Sequence, residues 1–394
     1  MFPACPPACP MPQRPLRICY VLSLFHPVAS GAEKQALAQA AELVRRGHQA
    51  RVVTQSVRGY PDDDVLEGVH VHRWIRPLSL GPLFGVTFVA GVIRALRRLR
   101  PHYDLIHDRQ ALWEATATGL GRRWLGGAPV LVQPASSGYY GEAELLARTK
   151  GSAVLRRLIL RNTAFEAISA DIEREWLDLG VPPARMFRMA NGVDLERFRP
   201  GPVPPEVEAS LPPRPRVAFL GRLHPQKNLD RLLDAWPAVA ARTAANLVLI
   251  GQGDDRDRLV EKARGLGLAD RVHFAGLAAN PADLLRAADV FALPSVAEGM
   301  SNALLEAMAT ALPCLASAIG GNTDLIADGR DGRLVPPDDT AAWSAALLQV
   351  LEDPGLAATM GFAARARMEA EYSLGAVVQR YEALYRRLLA EQGR

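Results

Sequence analysis

Two carboxylates separated by seven residues, Glu298 and Glu306, flank the start of an apolar helix pattern in "SVAEGMSNALLEAMA" (295–309). One acidic residue would be enough to cap a helix. A strand-like run, "VFALPS", ends just before them; Gly299 follows Glu298, and the helix pattern begins near Ser301 or Asn302. The first turn of a helix has unpaired N–H groups and a partial positive charge, which suits an anion such as phosphate. Glu298, in the loop, would then meet something beyond the phosphate, such as sugar hydroxyls. Glu306, a little over one turn into the helix, could accept hydrogen bonds from a ribose. A capped helix with a solvent-facing glutamate is the plainer alternative.

Two cations stand at a second strand end. In "FLGRLHPQKN" the strand closes at Gly221, and Arg222 and Lys227 lie in the loop before the next helix. Arginine offers a bidentate fork and lysine a point charge, both suited to an anion; a solvated basic loop is the other reading. In "LIGQGDDRDRL", Gly251 and Gly253 sit between strand and helix, where backbone could approach a ligand closely. A lone Gly-x-Gly fits a plain turn equally well.

The elements that must position these residues alternate. "LRICYVLSLF" reads as a strand. "SGAEKQALAQAAELVRRGH" reads as a helix with Leu37, Ala40, Ala41 and Val44 on one face, and "QARVVTQ" as the next strand. Strand, helix, strand is the βαβ unit of a parallel sheet. Further strands are expected at "YDLIH", "PVLVQP" and "EAISA". Prolines from Pro200 to Pro215 mark a joint, after which the alternation restarts. The fold class is therefore α/β, two Rossmann-like doubly wound parallel-sheet domains facing across a cleft. The expected divisions are a disordered Pro-rich lead-in (1–15), a first domain (16–199), a linker (200–215), a second domain (216–372) and a closing helix (373–394) that returns to the first domain. Ligands of open parallel sheets bind outside the carboxyl ends of the strands.

Composition sets outer bounds. The chain has 394 residues, 49% apolar and 22% charged, as two globular domains require. No run reaches the ~18 apolar residues of a membrane span; "LFGVTFVAGVI" is cut by Arg94. Cys5, Cys9, Cys19 and Cys314 form no metal quartet, so a reduced, cytoplasmic protein is expected. Residues 1–200 carry 26 Lys and Arg against 18 Asp and Glu, so the basic excess is N-terminal. It is either ordinary surface charge or an attraction to an anionic partner.

Taken together, "GRLHPQKNLDRLL", "VLIGQGDDRDRL", "VHFAGLA", "ADVFALPSVAEGMSNALLEAMATALPCLAS" and "GGNTDLIADGRDGRLVPPDD" resemble the retaining glycosyltransferases of the GT-B fold, more narrowly glycosyltransferase family four (group 1). The likeness runs from about Leu16 to the end, more specific in the second half than the first. It implies a nucleotide-sugar donor, UDP- or GDP-linked, as substrate, with no cofactor and no metal. Arg222 and Lys227, with the amides of Met300, Ser301 and Asn302, would hold the donor diphosphate. Glu298 would touch the sugar and Glu306 the ribose, matching the family's E-x7-E motif. Phe274 to Leu277, including Gly276, would border the base. Gly31 would let the first domain approach the donor. Preorganised cations and amides stabilise the departing diphosphate, one such donor contributing about 3–4 kcal/mol.

The sequence departs from that pattern at one place. Many relatives carry a histidine just after the strand equivalent to "PVLVQ"; here the text is "PVLVQPASSG". Gln133, Ser136 or Ser137 could supply a polar contact instead. His107 is either an acceptor-side residue or a structural strand-end histidine, and His224 a possible donor contact. Two Asp-x-Asp patterns, Asp62–Asp64 and Asp255–Asp257, read as solvated acidic loops. "LLARTKGSAVLRRLILRNT" and "GVIRALRRLR" read as basic amphipathic helices, able either to pack on the core or to lie on an anionic membrane surface. The acceptor would be a hydroxyl of a glycan or lipid-linked glycan, in cell-envelope polysaccharide synthesis at the inner face of the membrane. The alternatives are a nucleotide-sugar binder without turnover and a soluble-acceptor synthase of the sucrose or glycogen kind. Nothing points to nucleic acid.

Overall fold

The computed structural model describes residues 14–27, 31–81 and 83–393. Most of the lead-in expected at 1–15, with Cys5 and Cys9, lies outside them. Eight strands form the first sheet: β1 (Arg17–Val21), β2 (Gln49–Gln55), β3 (Asp63–Leu66), β4 (Val69–Ile75), β5 (Leu105–Asp108), β6 (Val130–Val132), β7 (Ala164–Ala167) and β8 (Met186–Arg188). Six form the second: β9 (Arg216–Leu220), β10 (Asn246–Ile250), β11 (Val272–Gly276), β12 (Val290–Leu293), β13 (Cys314–Ser317) and β14 (Arg333–Val335). The orders are β3-β4-β2-β1-β5-β6-β7-β8 and β11-β10-β9-β12-β13-β14.

Every pairing is parallel except β3 with β4. Parallel strands are covered on both faces, so they read as continuous apolar runs. β10, "NLVLI", and β12, "VFAL", are buried throughout. The β3–β4 hairpin turns on Glu67 (φ 50°) and Gly68 (φ 81°), the two positive φ values a tight two-residue hairpin needs. β3 is an edge strand, and its Asp63 and Asp64 discourage further pairing.

The closing helix Leu374–Ala390 packs on the first sheet, not the second. Val377, Val378, Tyr381, Tyr385 and Leu388 share an apolar cluster with Ile18, Tyr20 and Val52. The outgoing and returning crossings are joined to each other: Val193 N–H donates to Tyr372 O at 2.9 Å and Leu374 N–H to Val193 O at 2.9 Å. The 200–215 segment is not bare chain. It forms a short helix, Pro205–Ala209, and Glu208 pairs with Arg214 and Arg216.

Beneath the closing helix, Tyr381 Oη donates to the fully buried Glu166 at 2.8 Å, and Tyr385 Oη meets His107 Nδ1 at 2.8 Å. Tyr381→Phe leaves Glu166 without that donor. A loss of about 1–3 kcal/mol is expected, read as a lower urea midpoint with kcat unchanged. An unshifted midpoint would show the pair to be energetically idle.

Candidate active site

Each sheet has one place where its strand order reverses. β9 lies between β10 and β12, so the loops leaving β9 and β12 part and open a crevice at their carboxyl ends. β1 lies likewise between β2 and β5. The two crevices face each other.

The β9 loop carries Arg222 and Lys227; the β12 loop carries Glu298 and Gly299. Gln226 ties the loops together: its carbonyl accepts from Val296 N–H at 3.0 Å and its side chain donates to Ala297 O at 2.9 Å. This brings Lys227 Nζ to 2.6 Å from Glu298 Oε1, which also accepts from Ser295 Oγ at 2.6 Å. Neighbouring loops at the switch point thus join Lys227 and Glu298, expected to meet different parts of the donor, in one ion pair. Glu298 is 7% exposed, and its Oε2 has no partner among the described residues. Arg222 is exposed and has no ion pair or hydrogen bond among them.

Ser301 caps the helix Asn302–Ala309, its Oγ accepting from Leu304 N–H at 3.3 Å. The amides of Met300, Ser301 and Asn302 have no partner among the described residues. A free guanidinium, a lysine and three open amides thus stand on the two loops that leave the switch point.

Two glycines have a packing reason of their own. A Cβ at Gly251 would lie 1.8 Å from Gly221 O, and one at Gly253 2.0 Å from Leu223 O. Both are required because the β10 loop presses on the β9 loop, whatever binds beside them. Gly276 ends β11 at φ 72°, and Phe274 on that strand is half-buried with the Arg256 guanidinium 5.9 Å from its ring centroid.

The first domain meets this site closely. Asn302 Nδ2 donates to Gly31 O at 2.7 Å, and Asn191 Nδ2 donates to Asn302 Oδ1 at 2.9 Å and Met300 O at 3.3 Å. Ser137 Oγ donates to Glu298 O at 3.4 Å. His224 accepts from Gln226 N–H and sets its ring edge-on to Tyr140, so it serves as a cap and an interdomain contact.

Two family models match the sequence: Glycosyltransferase Family 4 over residues 29–197, and Glycosyl transferases group 1 over residues 214–353. The chain belongs to this glycosyltransferase family. A D-inositol 3-phosphate glycosyltransferase of Salinispora arenicola is 33% identical to the glycosyltransferase over 344 residues, 77% of this chain and 75% of that one. Among solved structures, sucrose-phosphate synthase from Thermosynechococcus elongatus superposes with a TM-score of 0.80 at 25% identity, covering 95% of this chain and all of that one. HepE of Anabaena, in complex with UDP and glucose, shares the fold with a TM-score of 0.75 at 21% identity, covering 94% and 99%. The two facing α/β domains are the GT-B architecture.

His107 of the glycosyltransferase lies away from the cleft surface. His107 is fully buried under the closing helix, held by Tyr385 at Nδ1 and 3.5 Å from Glu166 at Nε2. Burial lowers its pKa, with Glu166 pulling the other way. Its expected acceptor-side place is therefore corrected to a structural one. Gln133 is 3% exposed and its backbone N–H donates to Asp108 O at 2.8 Å. Ser136 Oγ is buried without a partner, and Glu142 holds the loop by accepting from the amides of Ala135 and Ser136 at 2.8 and 3.1 Å.

A set of polar residues at the β1 and β5 ends was not singled out from sequence. Ser23 follows β1 and bonds Glu114, Asp108 ends β5, and Arg109 Nη1 donates to Gln39 Oε1 at 2.7 Å. Gln35 Nε2, Gln39 Nε2, Asp108 Oδ1 and Arg109 Nε are buried without partners. Burial pushes Glu114 up to about 7 and raises Asp108 well above the usual carboxylate range. The signal was available: "HDRQ" lies at a strand's carboxyl end, where the same logic had selected Arg222.

Both Asp-x-Asp patterns are engaged with arginine: Asp62 with Arg76, Asp64 with Arg73, Asp255 with Arg258 and Asp257 with Arg256. Among the described residues no three His, Cys, Asp or Glu side chains are grouped to hold a metal.

Glu306 titrates near neutrality. Burial pushes its carboxyl up to about 7, opposed by Lys34 across the cleft and by Arg197. A raised acid keeps its proton in the folded state between about pH 4.5 and 7 while the unfolded chain releases it, so stability falls as pH rises through that window. Glu306→Gln removes this penalty. It is expected to raise stability at pH 8 by on the order of 2 kcal/mol and to leave it unchanged near pH 4, measured by urea unfolding at both. Equal gains at both pH values would contradict the assigned cause.

Proposed function

We propose that the protein moves a hexosyl group from a UDP- or GDP-sugar to a hydroxyl of a glycan or lipid-linked glycan, with retention of configuration and without a metal ion. The observation that carries this reading is that unpaired Arg222, Lys227 and the open amides of Met300 to Asn302 stand on the two loops leaving the β9/β12 switch point. This set suits a diphosphate. The free Oε2 of Glu298 is left to accept from a sugar hydroxyl, Glu306 from the ribose, and Phe274 and Arg256 border the base. UDP bound to a protein of the same fold supports that donor class.

In the step, the bond from sugar C1 to the donor phosphate oxygen breaks and a bond from C1 to the acceptor oxygen forms on the same face. The nucleoside diphosphate leaves, and the acceptor's proton passes to its phosphate oxygen. Charge grows on that phosphate as the bond breaks, and Arg222, Lys227 and the amides act on it there, so they stabilise the transition state more than the ground state. At the β1 and β5 ends, the partnerless buried donors and acceptors of Gln35, Gln39, Asp108 and Arg109 support a polyhydroxylated acceptor.

A soluble phosphorylated polyol or sugar is the second acceptor reading, favoured by the names of relatives that act on D-inositol 3-phosphate and of sucrose-phosphate synthase. For the lipid-linked reading the working place is the cytoplasmic face of an anionic membrane. Residues 83–161 hold 12 Lys and Arg against 5 Asp and Glu, which supports that location. No helix among the described residues is long and apolar enough to cross a membrane.

The test is a panel of UDP- and GDP-sugars with lipid-linked, glycan and polyol-phosphate acceptors, following acceptor-dependent release of nucleoside diphosphate with and without EDTA. Release that survives EDTA, with a product of the donor's anomeric configuration, is expected. Donor binding without turnover across the panel would support a binding protein instead.

A further inference from the structure

A groove of about 890 Å³ lies on the first domain, on the sheet face opposite the closing helix. The helices Leu83–Leu99 and Trp113–Gly121 form it. Val86, Val89 and Ile93 line one wall, Trp113, Leu120 and Trp124 the other, and Leu155 closes the floor. Gly85 makes room for the Trp113 ring, which a Cβ there would meet at 2.5 Å. Val86 is 67% exposed and Trp124 38%, so apolar surface is left open to solvent along its length.

The groove has a direction. Both helices start at carboxyl ends of parallel strands, β4 and β5, and run back along the sheet. Its Trp113 end is therefore nearest the catalytic cleft, and its far end carries Arg94, Arg97 and Arg98. Arg94 and Arg97 are exposed and have no ion pair among the described residues, while Arg98 lies over Trp74 at 4.2 Å. Of the nearby acids, Asp108 and Glu114 are buried, Asp104 is paired with Arg17, and Glu144 with Arg148. Among the described residues no acidic partner balances Arg94 or Arg97. Beside the rim, exposed Val154, Arg157 and Lys150 extend the same mixture of apolar and cationic surface.

An apolar trough with uncompensated arginines at one end fits an amphiphile with a hydrocarbon chain and an anionic head. We infer that this groove binds the hydrocarbon chain of an anionic membrane lipid, its headgroup held by Arg94 and Arg97 and its chain lying toward Trp113. The inference rests on the membrane location proposed above, but not on the transfer reaction or its acceptor. It assigns a role to the run "LFGVTFVAGVI" that neither a buried helix nor a membrane span supplies.

Trp113 and Trp124 make the groove directly readable. The full-length protein is mixed with phosphatidylcholine vesicles, with or without phosphatidylglycerol, and followed by flotation and by tryptophan quenching from phosphatidylglycerol carrying brominated chains. Flotation only with the anionic lipid is expected, with quenching that disappears in the Trp113→Phe/Trp124→Phe variant. Arg94→Glu with Arg97→Glu should weaken vesicle binding by roughly tenfold or more. Val86→Asp, on the solvent-facing rim where folding is not at stake, should abolish the quenching while circular dichroism is unchanged. Flotation without quenching leaves the membrane location standing and overturns the groove. Absence of flotation overturns both. A dimer in solution that Val86→Asp dissociates, with no effect on vesicles, would make the groove an interface between copies and likewise overturn the inference.

Discussion

Lys227→Ala is expected to lower kcat by roughly 10²–10³-fold, with a smaller change in KM for the donor. Two effects act together. The variant loses a cation aimed at the phosphate on which charge develops, and an interaction that strengthens in the transition state lowers kcat when removed. It also strips Glu298 of its counter-ion. Glu298 is 7% exposed and would be left with only Ser295 on Oε1, a buried carboxylate without its ion-pair partner. Lys227→Arg restores charge without the same reach and should recover part of the rate. Arg222→Ala should cost at least about tenfold in turnover with no change in stability, because Arg222 is exposed and unpaired. Steady-state kinetics with thermal unfolding as a folding control separates these outcomes. Wild-type turnover in both alanine variants would overturn the diphosphate assignment.

Gly299→Ala should lower activity by about 10²-fold through geometry alone. A Cβ at that position would sit 2.3 Å from Ala135 O on the facing domain. Ala135 cannot easily retreat, since its amide is held by Glu142 at 2.8 Å. The added methyl therefore holds the domains apart and pulls Ser137 from Glu298 and Asn191 from Met300 and Asn302. Because residue 299 lies in a loop between two intact cores, unfolding should be unaffected. Donor affinity, set mainly within the second domain, should change little, while kcat falls. Small-angle scattering should show a larger radius of gyration for the variant with nucleoside diphosphate bound than for the parent protein. Unchanged kcat and unchanged scattering would mean that the close approach at Gly299 is not needed for transfer.

The second domain's candidate site residues were legible from sequence because they are carried by short contiguous stretches. Arg222 and Lys227 share one loop, and Glu298 to Glu306 one loop and one helix; a strand-then-helix pattern is enough to place them. The Lys227–Glu298 pair was not legible, since it depends on β9 lying beside β12, an adjacency of chain segments some seventy residues apart. The polar set at the β1 and β5 ends escaped notice for the same reason, more severely. Ser23, Gln35, Gln39, Asp108, Arg109 and Glu114 come from separate segments, and each alone resembles an ordinary polar residue. His107 was ambiguous because a strand-end histidine faces either the cleft or whatever covers the sheet, and here the closing helix covers it. The run 145–163 was read as one amphipathic helix; it breaks between Glu142–Arg148 and Ser152–Ile159, where Gly151 takes φ 80°. The β3–β4 hairpin escaped notice because its "EG" turn is a weaker signal than Asn-Gly or Asp-Gly.

A crystal structure with an intact UDP- or GDP-sugar, grown in EDTA, bears most directly on the whole account. The diphosphate is expected within hydrogen-bond distance of Arg222, Lys227 and the amides of Met300 to Asn302, with the ribose on Glu306 and the sugar on Glu298. A donor found elsewhere in the molecule, or one whose diphosphate appears only with a divalent ion bridging it to acidic side chains, would contradict it.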